Sequence, residues 1–191
     1  MKRYVVAILI LFLIIMIGII GLSRGDSSND TPQTQTIPEK QLPDYATSSS
    51  AEMVYTVRDQ IVGDDEFKSI RITVSRDQRV LEILDGYSER VESRKTFVNN
   101  EAAFSEFLWA LKNAGFTATR DVKVTDERGV CSAGYGTLYT AYDADEELVR
   151  SWSTSCTRKD GTFDGNTSLV RRLFRAQITD YSKLTSGIGI P

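Results

Sequence analysis

Apolar positions along this chain fall into three regimes. Val5 to Leu22 is an unbroken apolar run behind Lys2 and Arg3, and Ser23 to Glu52 holds almost nothing apolar. From Met53 to Pro191 apolar and polar positions alternate with the periods of secondary structure. In that last region Ile70, Ile72 and Val74, separated by Arg71 and Thr73, have the two-residue period of a half-buried strand. A second strand is predicted over Val80 to Leu84 and a third over about Tyr87 to Phe97. Phe104, Phe107, Leu108 and Leu111 then recur at helical spacing between a capping Asn100 and a terminating Gly115. Further on, ITVSRDQRVLEI (72–83) has a counterpart in LYTAYDADEELV (138–149). A second helix is expected from Asn166 to about Ile178, with Val170, Leu173 and Phe174 as its stripe. Strands, helix, strands, helix is the order of an α+β domain: a mostly antiparallel sheet with the helices packed on it.

The two halves of this domain resemble one another. VRDQIVGDDE from Val57 lies over TRDVKVTDER from Thr119, and FVNNEAAFSEFLWA (97–110) over FDGNTSLVRRLFRA (163–176). The expectation is a tandem repeat of strands plus helix, over 57–116 and 119–182. In the first hairpin a turn at Asp77-Gln78 sets Val74 opposite Leu81 and Ile72 opposite Ile83. Transferred to the second hairpin, the turn becomes Asp143-Ala144 and Cys131 faces Cys156 across the strands, where a bridge can form. The same register sets Tyr139 opposite Leu148 and Tyr135 opposite Trp152. That aromatic row has two readings: core beneath another element, or an exposed recognition surface.

The N-terminal regimes place the domain. An uncharged run of 18 residues matches a membrane-spanning helix, and GLSRGDSS after it offers no small-residue cleavage site. Residues 1–22 are therefore expected to be an uncleaved signal-anchor. Lys2 and Arg3 outweigh the nearby Arg24, which orients the N-terminus to the cytoplasm and the rest outward. Residues 23–52, rich in Ser, Thr, Gln, Asp and Pro, are expected to be a disordered tether reaching about 30 Å. Residues 53–191 form the extracytoplasmic domain, in which two cysteines and an exported setting favour a disulfide.

Composition narrows the chemistry. The 191-residue chain holds no histidine, which removes imidazole triads and Cys/His metal sites. From Met53 onward 19 Lys and Arg against 21 Asp and Glu leave a net charge of −2, so nucleic acid is not the expected partner. DADEE (143–147) lacks the alternating ligands and central glycine of a calcium loop. Asn166-Thr167-Ser168 fits a glycosylation sequon, but it sits on the predicted helix cap. No metal and no cofactor is expected. The candidate binding residues are Trp109, Tyr135, Tyr139, Trp152, Arg171, Arg172 and Arg175. Trp109 points about 150° away from the core stripe of its helix, and the three arginines occupy the equivalent outward positions of the second helix, near Arg158 and Lys159. The functional expectation is a membrane-anchored domain that binds a protein or a cell-envelope polymer without catalysis. The alternative is an envelope hydrolase using Asp/Glu acid–base chemistry, with pairs such as Asp64 and Asp65 as candidates.

Protease added to intact cells should remove the C-terminal domain and leave a membrane-bound stub. Recovery of a soluble form beginning near Ser23 would show that the apolar run is a cleaved signal peptide instead.

Overall fold

The computed structural model describes residues 40–124, 126–157 and 160–190. The expected anchor and the tether up to residue 39 lie outside the described residues, as do Arg158 and Lys159. No helix among the described residues is long and apolar enough to cross a membrane.

The chain forms an α+β fold around strand β1, Ala51–Arg58. Strands β2 (Lys68–Ser75), β3 (Gln78–Asp85) and β4 (Arg90–Val98) are followed by helix α1 (Glu101–Asn113). Strands β5 (Gly136–Asp143) and β6 (Glu146–Thr154) precede helix α2 (Thr167–Ala176) and a short helix α3 (Tyr181–Leu184). The six strands make one antiparallel sheet in the order β4-β3-β2-β1-β5-β6. In β1, Ala51, Met53, Tyr55 and Val57 alternate onto one face and are all buried there. Ile70, Ile72, Val74, Leu81, Ile83, Tyr139 and Ala141 continue that face across the neighbouring strands.

Both helices lie on this face. Phe104, Phe107, Leu108 and Leu111 of α1 meet Val170 and Phe174 of α2 in the same cluster. Phe174 is the hub, stacked on Tyr55 at 5.3 Å and edge-on to Phe107 at 5.2 Å. Each helix begins at the expected cap: Asn100 Oδ1 accepts from Ala103 N–H and Asn166 Oδ1 from Leu169 N–H, both at 2.9 Å. The end of α1 abuts the start of α2, where Asn166 N–H donates to Ala114 O at 2.9 Å. A Cβ on Gly165 would sit 2.3 Å from the Gly115 carbonyl oxygen, so only glycine permits this approach.

Three expectations need correction. The segment expected to be tether does not run to Glu52, because Leu42 and Ala46 are buried and Tyr45 packs on the core. Ser48 Oγ and Ser50 Oγ donate to Asp143 Oδ1 at 2.6 and 2.7 Å, and the central strand starts at Ala51. The first hairpin turns at Arg76-Asp77, which pairs Val74 with Arg79, Ile72 with Leu81 and Ile70 with Ile83. Asn99 selects that turn by donating from its side chain to Ser75 O at 2.6 Å and from its backbone to Asp77 O at 2.9 Å. The slip relative to expectation is two residues, so every side chain keeps its face.

The second hairpin turns at Ala144-Asp145, with Ala144 at φ +53°, and carries a bulge at Ala141/Tyr142. Tyr139 therefore faces Ser151, and Leu138 faces Trp152. Cys131 and Cys156 are bonded, with Cα atoms 5.8 Å apart, but neither lies in a strand. The bond ties the loop before β5 to the loop after β6. Gly134 lies against it, where a Cβ would meet Cys131 Sγ at 2.6 Å.

With a sequence separation of 25, the disulfide should stabilise the domain by roughly 3 kcal/mol in the chain-entropy model. The double variant Cys131→Ala/Cys156→Ala should unfold at correspondingly lower denaturant. Two reactive thiols in native protein denatured without reductant would contradict the bond.

Candidate binding trough

The pleat sends the other half of each strand to the face the helices leave uncovered. Glu52, Val54, Thr56 and Arg58 of β1 point there, followed by Arg71 and Thr73, Val80 and Glu82, Arg94 and Thr96. Leu138, Thr140, Tyr142 and Arg150 supply the β5–β6 side, and together these residues enclose a trough of about 570 Å³. Thr56 and Thr140 are buried although no helix among the described residues packs on this face, as long charged side chains on a sheet can shield shorter neighbours.

Those side chains form a lattice of opposite charges. Arg71, Glu82 and Arg94 stand in one cross-strand row. Arg94 Nε donates to Glu82 Oε1 at 2.8 Å, and Arg71 lies 3.9 Å from the other oxygen. Glu89, from the β3–β4 turn, takes Arg58 at 2.6 Å and also Arg71. Glu127 takes Arg58 at 3.3 Å and Arg150 at 2.7 Å. The two similar stretches of sequence thus meet in space, since Arg58 belongs to the first and Glu127 to the second. Glu89 adopts φ +53°, a region costly for a residue with a Cβ, and in that conformation its carboxylate reaches both arginines. Burial pushes the Glu89 carboxyl up, but Arg58 and Arg71 outweigh it and hold the group below its ordinary value of 4.5.

A second cavity of about 370 Å³ opens beside the trough and shares Arg58, Glu89 and Leu138 with it. Its other walls are largely apolar: Ile61, Phe67, Tyr87 and Cys131. Tyr87 stacks on Phe67 at 4.1 Å and donates its hydroxyl to Val62 O at 2.8 Å, yet remains 49% exposed, and Ile61 is 48% exposed. The polar trough thus runs into a largely apolar cavity.

The residues singled out from sequence are distributed differently. Trp109 is 48% exposed with Lys112 Nζ 4.7 Å from its ring centre, on the far side of the domain from the trough. Tyr139 and Trp152 are not a surface row. Both are buried, and their alternation sends Tyr139 toward the helices, stacked on Phe163 at 3.9 Å, and Trp152 to the opposite face. Arg171 and Arg172 are exposed on α2, whereas Arg175 is half-buried with its guanidinium 4.8 Å from the Tyr181 ring centre. Tyr135, Tyr139 and Arg171 do converge, on a small cleft beneath the first turn of α2. The trough residues were not selected from sequence. Their signal is the polar half of each alternating strand, where charges of both signs recur at every second position. Among the described residues no group of three His, Cys, Asp or Glu is placed to hold a metal.

No family model matches the chain. No curated protein matches it either.

Glu89 gives a pH signature. Its lowered value in the folded state means that its contribution is complete above the ordinary 4.5 and is lost as pH falls through the folded value. Glu89→Gln should lower the denaturation midpoint at neutral pH and leave it almost unchanged at acid pH, flattening the acid limb of the stability curve. An unchanged acid limb in the variant would mean that the two arginines do not hold this carboxylate.

Proposed function

We propose that this is a membrane-anchored, extracytoplasmic binding module that takes an extended segment of a partner protein in the trough, with an apolar side chain of that segment in the adjoining cavity, and catalyses nothing. The observation that carries the reading is the continuity of the two cavities through Arg58, Glu89 and Leu138. A partner's acidic and basic groups can exchange places with the Arg–Glu pairs, which are part-exposed and already held in position. An aromatic or aliphatic side chain then fills the pocket walled by Phe67 and Tyr87. The uncharged run from Val5 to Leu22 supports the anchor. The two hairpin-plus-helix units, each capped by Asn, support descent from a duplicated unit.

A hydrolase would use a carboxyl held protonated near neutral pH. Asp85, Glu89, Asp126 and Asp143 are instead held below their ordinary values, by Lys68, by the arginines Arg58 and Arg71, by Arg128, and by Ser48 and Ser50 respectively. Those four carboxylates are therefore not suited to act as a general acid.

Crosslinking the full-length protein in its native membrane should trap a protease-sensitive partner, and Arg71→Glu/Arg150→Glu should abolish that product while Trp109→Ala leaves it. Partner capture unaffected by the trough substitutions would overturn the reading. A product destroyed by glycanase but not by protease would move the occupant to envelope polymer.

A further inference from the structure

On the opposite side of the sheet from the trough, between β1, β5, β6 and the first turn of α2, lies a cleft of about 150 Å³. That is room for a small ion or a few water molecules. Its walls are unusual in composition. Tyr55, Tyr139, Ser153, Thr167, Ser168 and Arg171 present hydroxyl or guanidinium groups, and no carboxylate side chain is among the described residues that line it.

Tyr55 is the decisive member. Its ring is 2% exposed and fixed by stacking on Phe174, yet its hydroxyl has no hydrogen-bond partner among the described residues. That hydroxyl is not among the buried unpartnered atoms of the described residues, so it opens into the cleft and can donate to whatever occupies it. Neighbouring Tyr139 differs, since its hydroxyl meets Ser153 Oγ at 2.9 Å. Burial pushes the Tyr55 phenol up, with Tyr139 adding to the shift, so this hydroxyl stays protonated and available as a donor.

The helix contributes independently. Asn166 Oδ1 caps Leu169 N–H, but Thr167 and Ser168, the first two residues of α2, have no acidic side chain in their turn. Helix amides at such a terminus point outward as donors toward negative charge. Arg171, one turn on, forms no ion pair among the described residues, in contrast to Arg58, Arg71, Arg94 and Arg150 of the trough. Its side chain lines the same cleft.

We propose that this cleft is a binding site for a small oxyanion of phosphate type, held by the Tyr55 hydroxyl from below, the first turn of α2 from the side and the Arg171 guanidinium from the solvent. The site accepts only one oxyanion group, either a free ion or the terminal phosphate of a larger molecule whose remainder stays in solvent. It is independent of the trough and of whatever the trough binds.

The test uses the full-length chain in detergent, titrated with inorganic phosphate and, separately, with glycerol phosphate, against sodium chloride at matched ionic strength. Phosphate should raise the thermal midpoint beyond chloride in a saturable way. Tyr55→Phe keeps the ring stack and removes only the unpartnered hydroxyl, so it should fold as before while binding phosphate about tenfold or more weakly, the loss expected for one hydrogen bond to a charged group. Arg171→Gln, on the exposed face of α2, should weaken binding comparably without touching the core. Glycerol phosphate binding as well as phosphate identifies an esterified end group as the natural ligand, and much weaker binding identifies the free ion. An effect of phosphate no greater than chloride, or an undiminished effect in Tyr55→Phe, overturns the proposal.

Discussion

A sheet covered by helices on one side has to finish its other side with its own side chains. In this domain the helices take the face that carries Tyr55, Ile72 and Tyr139. The remaining face must keep water from the backbone of β1 and its neighbours without a second layer. It does so with arginines and glutamates whose stems lie along the sheet and whose heads neutralise one another. Individually such pairs contribute little at a surface. Their joint effect is geometric: side chains that would otherwise sample many rotamers are held in one arrangement, and a trough results. The asymmetry between a greasy face and a charge-paired face is the constraint from which both candidate sites follow.

The fold class and the helices were legible in the sequence because their signals are local. Asn100 and Asn166 are caps whatever surrounds them, and a stripe such as Phe104, Phe107, Leu108 has one sensible orientation. The existence of two hairpins was legible for the same reason. Their registers were not, because Asn99 selects the Arg76-Asp77 turn through a contact made across the sheet. The disulfide was anticipated from the even cysteine count and from a transferred hairpin register; the bond forms, but between two loops and not across the strands that register implied. Strand β1 is the instructive omission. Ala51, Met53, Tyr55 and Val57 alternate clearly, but they follow a polar segment and run into RDQIVGDDE, the first of the two similar stretches, and both neighbours drew attention away from the strand on which the sheet is built.

The candidate sites were less legible still, for a physical reason. Aromatic residues stand out in a sequence, and Tyr139 and Trp152 stand out because they are large, which is also why they are buried. Residues such as Arg71, Glu82 and Arg94 look like ordinary solvated positions until strand pairing stacks them in a row. Tyr139 was selected with the aromatic row of the hairpin and Arg171 with the outward face of the second helix, and they meet at a cleft formed by the docking of α2 onto the sheet. Chemistry that arises from the meeting of distant segments leaves no trace in any one of them.

The chain enters the domain at Leu42, Tyr45 and Ala46, is clamped to Asp143 through Ser48 and Ser50, and passes directly into the central strand. Any tension transmitted from residues before Lys40 is therefore directed along β1, which is hydrogen-bonded to β2 on one side and β5 on the other over its whole length. Force applied in that direction loads both ladders in shear, so that many hydrogen bonds share it at once, rather than peeling an edge strand one bond at a time. The packing of Leu42 and Ala46 would be loaded first, the Asp143 clamp next and the sheet last. The geometry makes the domain a mechanically stiff terminus, able to keep its shape while the chain ahead of it is pulled.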